Sequence, residues 1–219
     1  MIVAVFCVTL MSVQAKLIGI EYHPAQITFV RAIIVLIFLT PLIYKLGGLK
    51  FLKTKKPTLH FFRGIAGLIG NIMFFSAYQR LPVADVTVIS QAVPIFACIL
   101  AIIFLKEIIG WRRWIAIFIG FLGVIIAINP SGEIVITSIY ALIGTIMWST
   151  TIIFLRLLGT TESPVKTVFY FMLVSAITTS FFQPFLWIAP SFEVILLFIG
   201  LGASAFLTQI LMTYALQKA

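Results

Sequence analysis

The sequence predicts an all-α polytopic membrane protein built from an inverted repeat of five-helix units. Hydrophobic residues make up 62% of the chain and charged residues only 10%, whereas soluble domains average about half apolar and about a quarter charged. Apolar runs of membrane-spanning length follow one another without a long linker, and a weak internal repeat recurs after about 140 residues. A doubled five-helix unit has ten helices, of which about eight are expected in this chain.

Eight apolar segments are long enough to cross a bilayer as helices, since a transmembrane helix needs about 20 predominantly apolar residues. Turn signals such as His23-Pro24 and Leu81-Pro82 separate these segments. The predicted spans are 2–20, 25–44, 64–80, 83–105, 111–129, 134–157, 165–188 and 192–215.

The basic residues lie mostly in loops on one side of the predicted bundle. The loops 45–63, 106–113 and 156–166 hold most of the 15 lysines and arginines. Because positively charged loops stay in the cytoplasm, the pattern predicts that this side and the N-terminus are cytoplasmic. The net charge of +9 is spread over short loops, so it gives no solvated basic face of the kind that nucleic acid needs.

The segment 63–107 contains two features that indicate close packing and a binding path. Its first helix carries Gly64, Gly67 and Gly70, and small residues at this spacing let a neighbouring backbone approach closely. Its second helix contains Pro94, which leaves a backbone carbonyl free. A free carbonyl in hydrocarbon is tolerated only against protein or a water-filled cavity. We therefore expect a substrate path beside Pro94 and the polar residues that precede it, Thr87, Ser90 and Gln91.

An internal repeat relates the two parts of the chain. Matching pairs at this separation are Pro24 and Pro164, Gly64 and Gly202, and Asn71 and Gln209. Because the repeat unit has an odd number of spans, the second copy must be inverted in the bilayer, as in many secondary transporters. The first repeat covers residues 1–130 with five helices, and the second covers 134–219 with three. We expect a chain that lacks the last two helices of the second repeat.

Several motifs occur in a characteristic order along the chain. They are HPAQITFVRA at 23–32, QAVPIFACILAIIFLKE at 91–107, WRRW at 111–114 and IAIFIGFLGVIIAI at 115–128. Together they resemble the EamA-type branch of the drug/metabolite transporter superfamily. The first and third are most similar to members described as S-adenosylmethionine uptake transporters of obligate intracellular bacteria. This resemblance implies ten helices, a central cavity between two halves and alternating access.

Lys16 and Arg31 are the charged residues that lie most clearly inside predicted spans. A cation at the bilayer centre costs about 2.5–3.5 kcal/mol on insertion scales, and such residues usually mark functional sites. The alternative is that both side chains extend to the membrane interface. Neither span holds an acidic partner. A carboxylate or phosphate of the substrate would then supply the missing counter-charge.

Polar and aromatic side chains on other spans are further substrate-path candidates. Asn71 and Tyr78 share one helical face, and Gln209 corresponds to Asn71 in the second repeat. These side chains either line the cavity or form hydrogen bonds between helices, and both interpretations stay open at this point. Trp148, deep in its span, offers a stacking surface for a ring or a cation.

The sequence contains no catalytic or metal-binding constellation. His23 and His60 fall in loops predicted to lie on opposite sides, and no phosphate-binding loop motif occurs. We therefore expect neither an enzyme nor a cofactor.

The predicted function is that of a multi-pass secondary transporter in the bacterial inner membrane. Its substrate would be a small polar metabolite, with S-adenosylmethionine or an amino-acid-like solute as the candidates that the resemblance implies. The expected partners are the lipid bilayer and this small molecule, with a homodimer as an open alternative. Efflux of cationic drugs ranks second, because it usually needs an acidic residue deep in a span. A non-transporting fragment of a broken carrier gene is the remaining alternative.

Overall fold

The computed structural model describes residues 2–106, 110–128, 136–159 and 161–218, and every regular element within these ranges is helical. A short 3-10 turn, Gly48–Lys50, follows α2. The α-helices are α1 (Ile2–Ile18), α2 (Pro24–Lys45), α3 (Pro57–Arg80), α4 (Val83–Ser90), α5 (Val93–Leu105), α6 (Trp111–Ile128), α7 (Ile136–Gly159), α8 (Pro164–Ser180), α9 (Gln183–Leu186) and α10 (Phe192–Lys218).

Five helical segments are long and apolar enough to cross a membrane, which confirms the predicted all-α polytopic class. α1 and α6 are also apolar but contribute shorter segments in the part of the chain that the structure describes. The five long segments are Pro24–Lys45, Pro57–Arg80, Val83–Leu105, Thr137–Gly159 and Phe192–Leu216.

Helix α3 begins two turns before the predicted span 64–80, so the prediction of a loop over 45–63 was wrong for its last seven residues. Pro57 lies in the first turn of the helix, where its missing N–H costs nothing. His60 and Arg63 follow on α3, and both are buried rather than exposed in a loop. Hydropathy alone assigns such polar residues to a loop because it takes no account of burial against another helix.

The predicted span 165–188 is also corrected, because α8 ends at Ser180. The short helix α9 follows after a turn and carries Pro184 near its start. Proline has no N–H to continue the α8 hydrogen-bond series, and it disfavours the helical conformation of the residue before it.

The predicted interruption at Pro94 is confirmed. α4 ends at Ser90, and α5 begins at Val93 with the proline in its first turn. The Ser149 hydroxyl of α7 donates a hydrogen bond to the Val93 carbonyl oxygen at 3.0 Å. The interruption is therefore tied to a neighbouring helix.

Helices from the first part of the chain pack mainly against helices from the second part. α3 contacts α7 and α8, α1 contacts α10, and α2 contacts both α8 and α10. Two glycines mark close approaches in this interface. A β-carbon on Gly64 would lie 2.8 Å from the β-carbon of Val174, and a β-carbon on Gly202 would overlap Ile34.

Candidate functional site

Two arginines lie side by side inside the bundle, Arg31 on α2 and Arg63 on α3. Both side chains are 0% exposed. The Cζ atoms of Arg63 and Arg31 lie 4.0 Å and 5.7 Å from the ring centre of Phe171 on α8, and Arg31 Cζ also lies 5.6 Å from the ring centre of Phe75. We define the arginine cluster as Arg31, Arg63, Asn71, Phe75, Phe171 and Gln209.

Helical periodicity explains why α3 supplies three members of this cluster. Arg63, Gly67, Asn71 and Phe75 are spaced by four residues and therefore share one face of the helix. Gly67 leaves room on this face for Phe171, because a β-carbon there would lie 2.7 Å from Cε2 of that ring. The glycine lets the phenylalanine ring reach the two guanidinium groups.

The guanidinium groups of the cluster are short of hydrogen-bond acceptors. Arg63 Nη2 donates to Gln209 Oε1 at 3.4 Å, a long hydrogen bond. The Nε and Nη1 atoms of Arg63, all three guanidinium nitrogens of Arg31 and Nδ2 of Asn71 have no partner among the described residues. None of the acids in the described ranges pairs with either arginine.

The aromatic rings do not offset the burial of two cations. A cation–π contact contributes about 0.5–2 kcal/mol, whereas burying an unpaired ion costs several kcal/mol after relaxation. The positive charge of the two arginines is therefore uncompensated at the interface between α2, α3, α8 and α10. Chemically, this arrangement is suited to binding an oxyanion.

The structure brings Arg31 and Gln209 together around Arg63 and Phe171, and Asn71 lies on the same face of α3 as Arg63. Arg31 is fully buried, so its guanidinium group does not reach the surface of the bundle. Asn71 and Gln209, the repeat-related pair, are 5% and 4% exposed. The fourth polar member, Arg63, was not among the predicted site residues because its hydropathy assigned it to a loop. Its four-residue spacing from Gly67 and Asn71 is the signal that identifies its place.

The other predicted site residues on α1, α3 and α7 have local partners or partial exposure. Lys16 Nζ donates to the carbonyl oxygens of Gln79 and Leu81 at 3.2 and 3.0 Å, which fastens α1 to the C-terminal end of α3. Tyr78 is buried and stacks on Phe74 with ring centres 6.1 Å apart. Trp148 is half-buried on α7.

The polar residues at the helix interruption are not in the arginine cluster. The hydroxyls of Thr87 and Ser90 donate to carbonyl oxygens of their own helix, at 2.7 Å in both cases. Thr87, Gln91 and Pro94 are exposed on the surface of the bundle. Their proposed role in a substrate path stays a prediction.

A second polar assembly joins the loop before α3 to the loop before α8. We call residues 51–56 the strap. Glu162, which is 6% exposed, accepts hydrogen bonds from Thr54 Oγ1 at 2.6 Å and from the Lys55 backbone N–H at 3.3 Å. Lys166 Nζ lies 2.7 Å from Glu162 Oε2 and also donates to the Lys53 carbonyl oxygen at 2.8 Å.

The strap lies against the end of the bundle next to the arginine cluster. The Tyr170 hydroxyl donates to the Leu52 carbonyl oxygen at 2.7 Å, and its ring centre lies 4.6 Å from that of His60. Tyr170 directly precedes Phe171, and His60 lies one turn before Arg63. The strap therefore packs on residues that adjoin members of the arginine cluster in the sequence.

The ionised form of the Glu162 carboxylate is the form that holds the strap. Burial raises its pKa, but hydrogen bonds from Lys166 and Thr54 outweigh burial and bring the pKa below the ordinary value of 4.5. A carboxyl group whose pKa falls on folding stabilises the folded state above its unfolded pKa. That stabilisation is lost as the pH falls through the lower, folded pKa. The Glu162 carboxylate is therefore in the ionised form that accepts these hydrogen bonds at neutral pH.

Replacing Glu162 by glutamine is expected to loosen the strap. The variant keeps the size of the side chain but loses hydrogen bonds to a charged group, which contribute about 1.5–3 kcal/mol, so opening should become about tenfold more frequent or more. Trypsin cleavage after Lys53 and Lys55 in nanodiscs measures this opening. Glu193→Gln, at an exposed acid in the first turn of α10, is the matched control. Equal cleavage rates for the two variants would contradict the assigned role.

Apolar helices of spanning length that surround buried polar and charged side chains are typical of an integral membrane protein. The EamA-like transporter family matches residues 1–129, which is more than half of the chain. The chain belongs to this family, and the resemblance found in its motifs is confirmed.

Curated relatives of this chain are transporters by name. It is 32% identical over 205 residues to the S-adenosylmethionine uptake transporter of Rickettsia bellii, with 93% of this chain and 70% of the relative covered. It is 31% identical over 194 residues to the protein of the same name in Rickettsia felis, covering 88% of this chain and 65% of that protein. It is also 24% identical over 196 residues to the riboflavin transporter of Vibrio cholerae, covering 88% of this chain and 64% of the relative.

Proposed function

We propose that this protein is a secondary transporter that carries a small polar metabolite with an anionic group by alternating access. The observation that carries this proposal is the pair of fully buried arginines without acidic partners among the described residues, held between helices of the first and second parts of the chain. In this proposal Arg31 and Arg63 bind the anionic group, and Asn71 and Gln209 supply neutral polar contacts.

The proposed mechanism follows from two related halves that move against each other. The close contact of Gly64 with Val174 joins α3 to α8, and the close contact of Gly202 with Ile34 joins α10 to α2. These residues are related by the same separation as the sequence repeat, which supports inverted repeats at 1–130 and 134–219. Substrate sites of such transporters lie at the interface between repeats, which is where the arginine cluster lies.

The proposed orientation places the N-terminus and the strap in the cytoplasm of a bacterial cell, at its inner membrane. The strap contains Lys53, Lys55 and Lys56, and the positive-inside rule assigns such a loop to the cytoplasmic side. In this orientation the strap closes the cytoplasmic entrance to the arginine cluster.

Efflux of cationic drugs is less compatible with the site. A cationic substrate needs an acidic partner, and the buried acid among the described residues, Glu162, lies in a loop and is already paired with Lys166. The arginine cluster would also repel a cation. A quaternary ammonium compound is therefore the negative control in the functional test.

Uptake by bacterial cells that express the full-length gene tests the proposed function. The labelled solutes are S-adenosylmethionine, methionine, succinate and tetraethylammonium, each compared with cells that carry an empty vector. We expect saturable uptake of at least one carboxylate-bearing solute and none of tetraethylammonium. Uptake of tetraethylammonium alone, or of no solute by protein that reaches the membrane, would contradict the proposal.

A further inference from the structure

Within the proposed transport function, we infer that Arg31 and Arg63 act as one site for a doubly charged oxyanion, such as a dicarboxylate or a phosphate monoester. The names of the relatives do not indicate this class, because S-adenosylmethionine carries one carboxylate together with a sulfonium and an ammonium group. The two arginines would therefore set which anionic metabolites the site prefers.

Charge balance is the first argument for a doubly charged ligand. Two guanidinium groups are 0% exposed, and the Gln209 amide that meets one of them is neutral. A ligand with two negative charges neutralises both cations. A singly charged ligand leaves one buried cation uncompensated, and an unpaired buried charge costs several kcal/mol. A ligand with a net positive charge adds repulsion to that cost.

Donor geometry is the second argument. Each guanidinium group presents a planar fork of N–H donors that matches two oxygens of a carboxylate or a phosphate. Five guanidinium nitrogens of the pair have no partner in the described part of the chain. This is more than one carboxylate can satisfy with good geometry, whereas two carboxylates or a phosphate supply enough acceptor oxygens.

The distance between the two groups is the third argument. Their Cζ atoms lie 4.0 and 5.7 Å from the same ring centre, so they are at most about 10 Å apart. One dianion whose two charged groups are separated by up to this distance would therefore be long enough to bridge both arginines. Asn71 Nδ2, on the same face of α3 as Arg63, is a further donor without a partner among the residues that the structure describes.

A matched pair of ligands tests this inference on the purified full-length protein. Succinate and succinamate have nearly the same shape, but succinamate has an amide in place of one carboxylate. We expect succinate to bind at least about tenfold more tightly, because charge-assisted hydrogen bonds contribute about 1.5–3 kcal/mol. Glycerol 3-phosphate distinguishes a phosphate preference from a dicarboxylate preference, and tight binding of either supports the inference.

Variants of a buried arginine and of an exposed lysine complete the test. Arg63→Gln should reduce the preference for succinate over succinamate to less than about threefold, because only one guanidinium group remains. Lys45→Gln, at an exposed cation at the end of α2, should leave the preference unchanged. The measured quantity is the ratio of the two affinities. A loss of folded protein reduces the number of sites for both ligands equally and therefore leaves this ratio unchanged.

The outcomes separate this inference from the function on which it rests. Equal binding of succinate and succinamate without tight binding of glycerol 3-phosphate, or tighter binding of S-adenosylmethionine than of both dianions, would overturn the doubly charged site while leaving a transporter. A protein that transports another solute of the panel but binds neither dianion would also overturn it. Failure to transport any solute contradicts the proposed function itself.

Discussion

Cells that express Arg31→Gln in the full-length protein should take up the transported solute at least about tenfold more slowly than wild type. The substitution removes a charged donor group from a site in which Arg63 is the other cation that can neutralise an anion. Hydrogen bonds to charged groups contribute about 1.5–3 kcal/mol, which corresponds to about 10- to 100-fold in binding. Uptake is normalised to the amount of protein in the membrane.

Arg31→Lys separates binding geometry from charge at the same position. Lysine keeps the positive charge but lacks the planar fork, so uptake should fall to a value between those of wild type and Arg31→Gln. Lys16→Gln is the control, because Lys16 contacts the carbonyl oxygens of Gln79 and Leu81 rather than the cluster. Wild-type uptake by Arg31→Gln would remove this arginine from the site and leave the region of Ser90, Gln91 and Pro94 as the predicted path.

Gly67→Leu should prevent assembly of the bundle, whereas Gly123→Leu should be tolerated. A β-carbon on Gly67 would lie 2.7 Å from the Phe171 ring, so a leucine there must displace the ring that contacts both arginines. Overpacking of this kind costs about 1–3 kcal/mol and occasionally more. A β-carbon on Gly123, in α6, would meet no atom of the described residues within 4 Å.

The yield of monodisperse protein in detergent and its thermal stability measure this difference between the glycine variants. The two variants introduce the same side chain at a helical glycine, so intrinsic helix propensity is matched. Similar yields and similar melting temperatures would show that the close contact between α3 and α8 is not essential for assembly.

The sequence was sufficient to predict the general architecture. Apolar runs of the right length predicted eight spans, and five of them correspond to helical segments long and apolar enough to cross a bilayer in the described ranges. Pro94 correctly indicated the interruption between α4 and α5, since proline removes a backbone donor whatever surrounds it. Asn71 and Gln209 occupy corresponding positions of the predicted repeat, and both are buried; the repeat itself stays a prediction.

Arg63 and Glu162 show what the sequence could not predict. Arg63 follows a run of lysines, and its sequence environment is typical of a cytoplasmic loop. Its burial depends on Phe171, which is distant in the chain and becomes adjacent only when α8 packs on α3. Glu162 has a similar dependence, because its partners Thr54 and Lys55 belong to another loop. Such contacts depend on tertiary packing, which local sequence periodicity does not predict.

In the proposed alternating-access mechanism, the two close glycine contacts would define an axis for relative motion of the halves. Val174 and Ile34, which meet Gly64 and Gly202, each lie one helical turn from a member of the arginine cluster, Phe171 and Arg31 respectively. Neither contact leaves room for closer approach, so we expect rotation about the line that joins them. In such a rotation, residues near that line move little, and the helix ends, which lie farthest from it, move most. Under the proposed function, small rotations would open either end of the bundle while an anion bound at the arginine cluster stays nearly stationary.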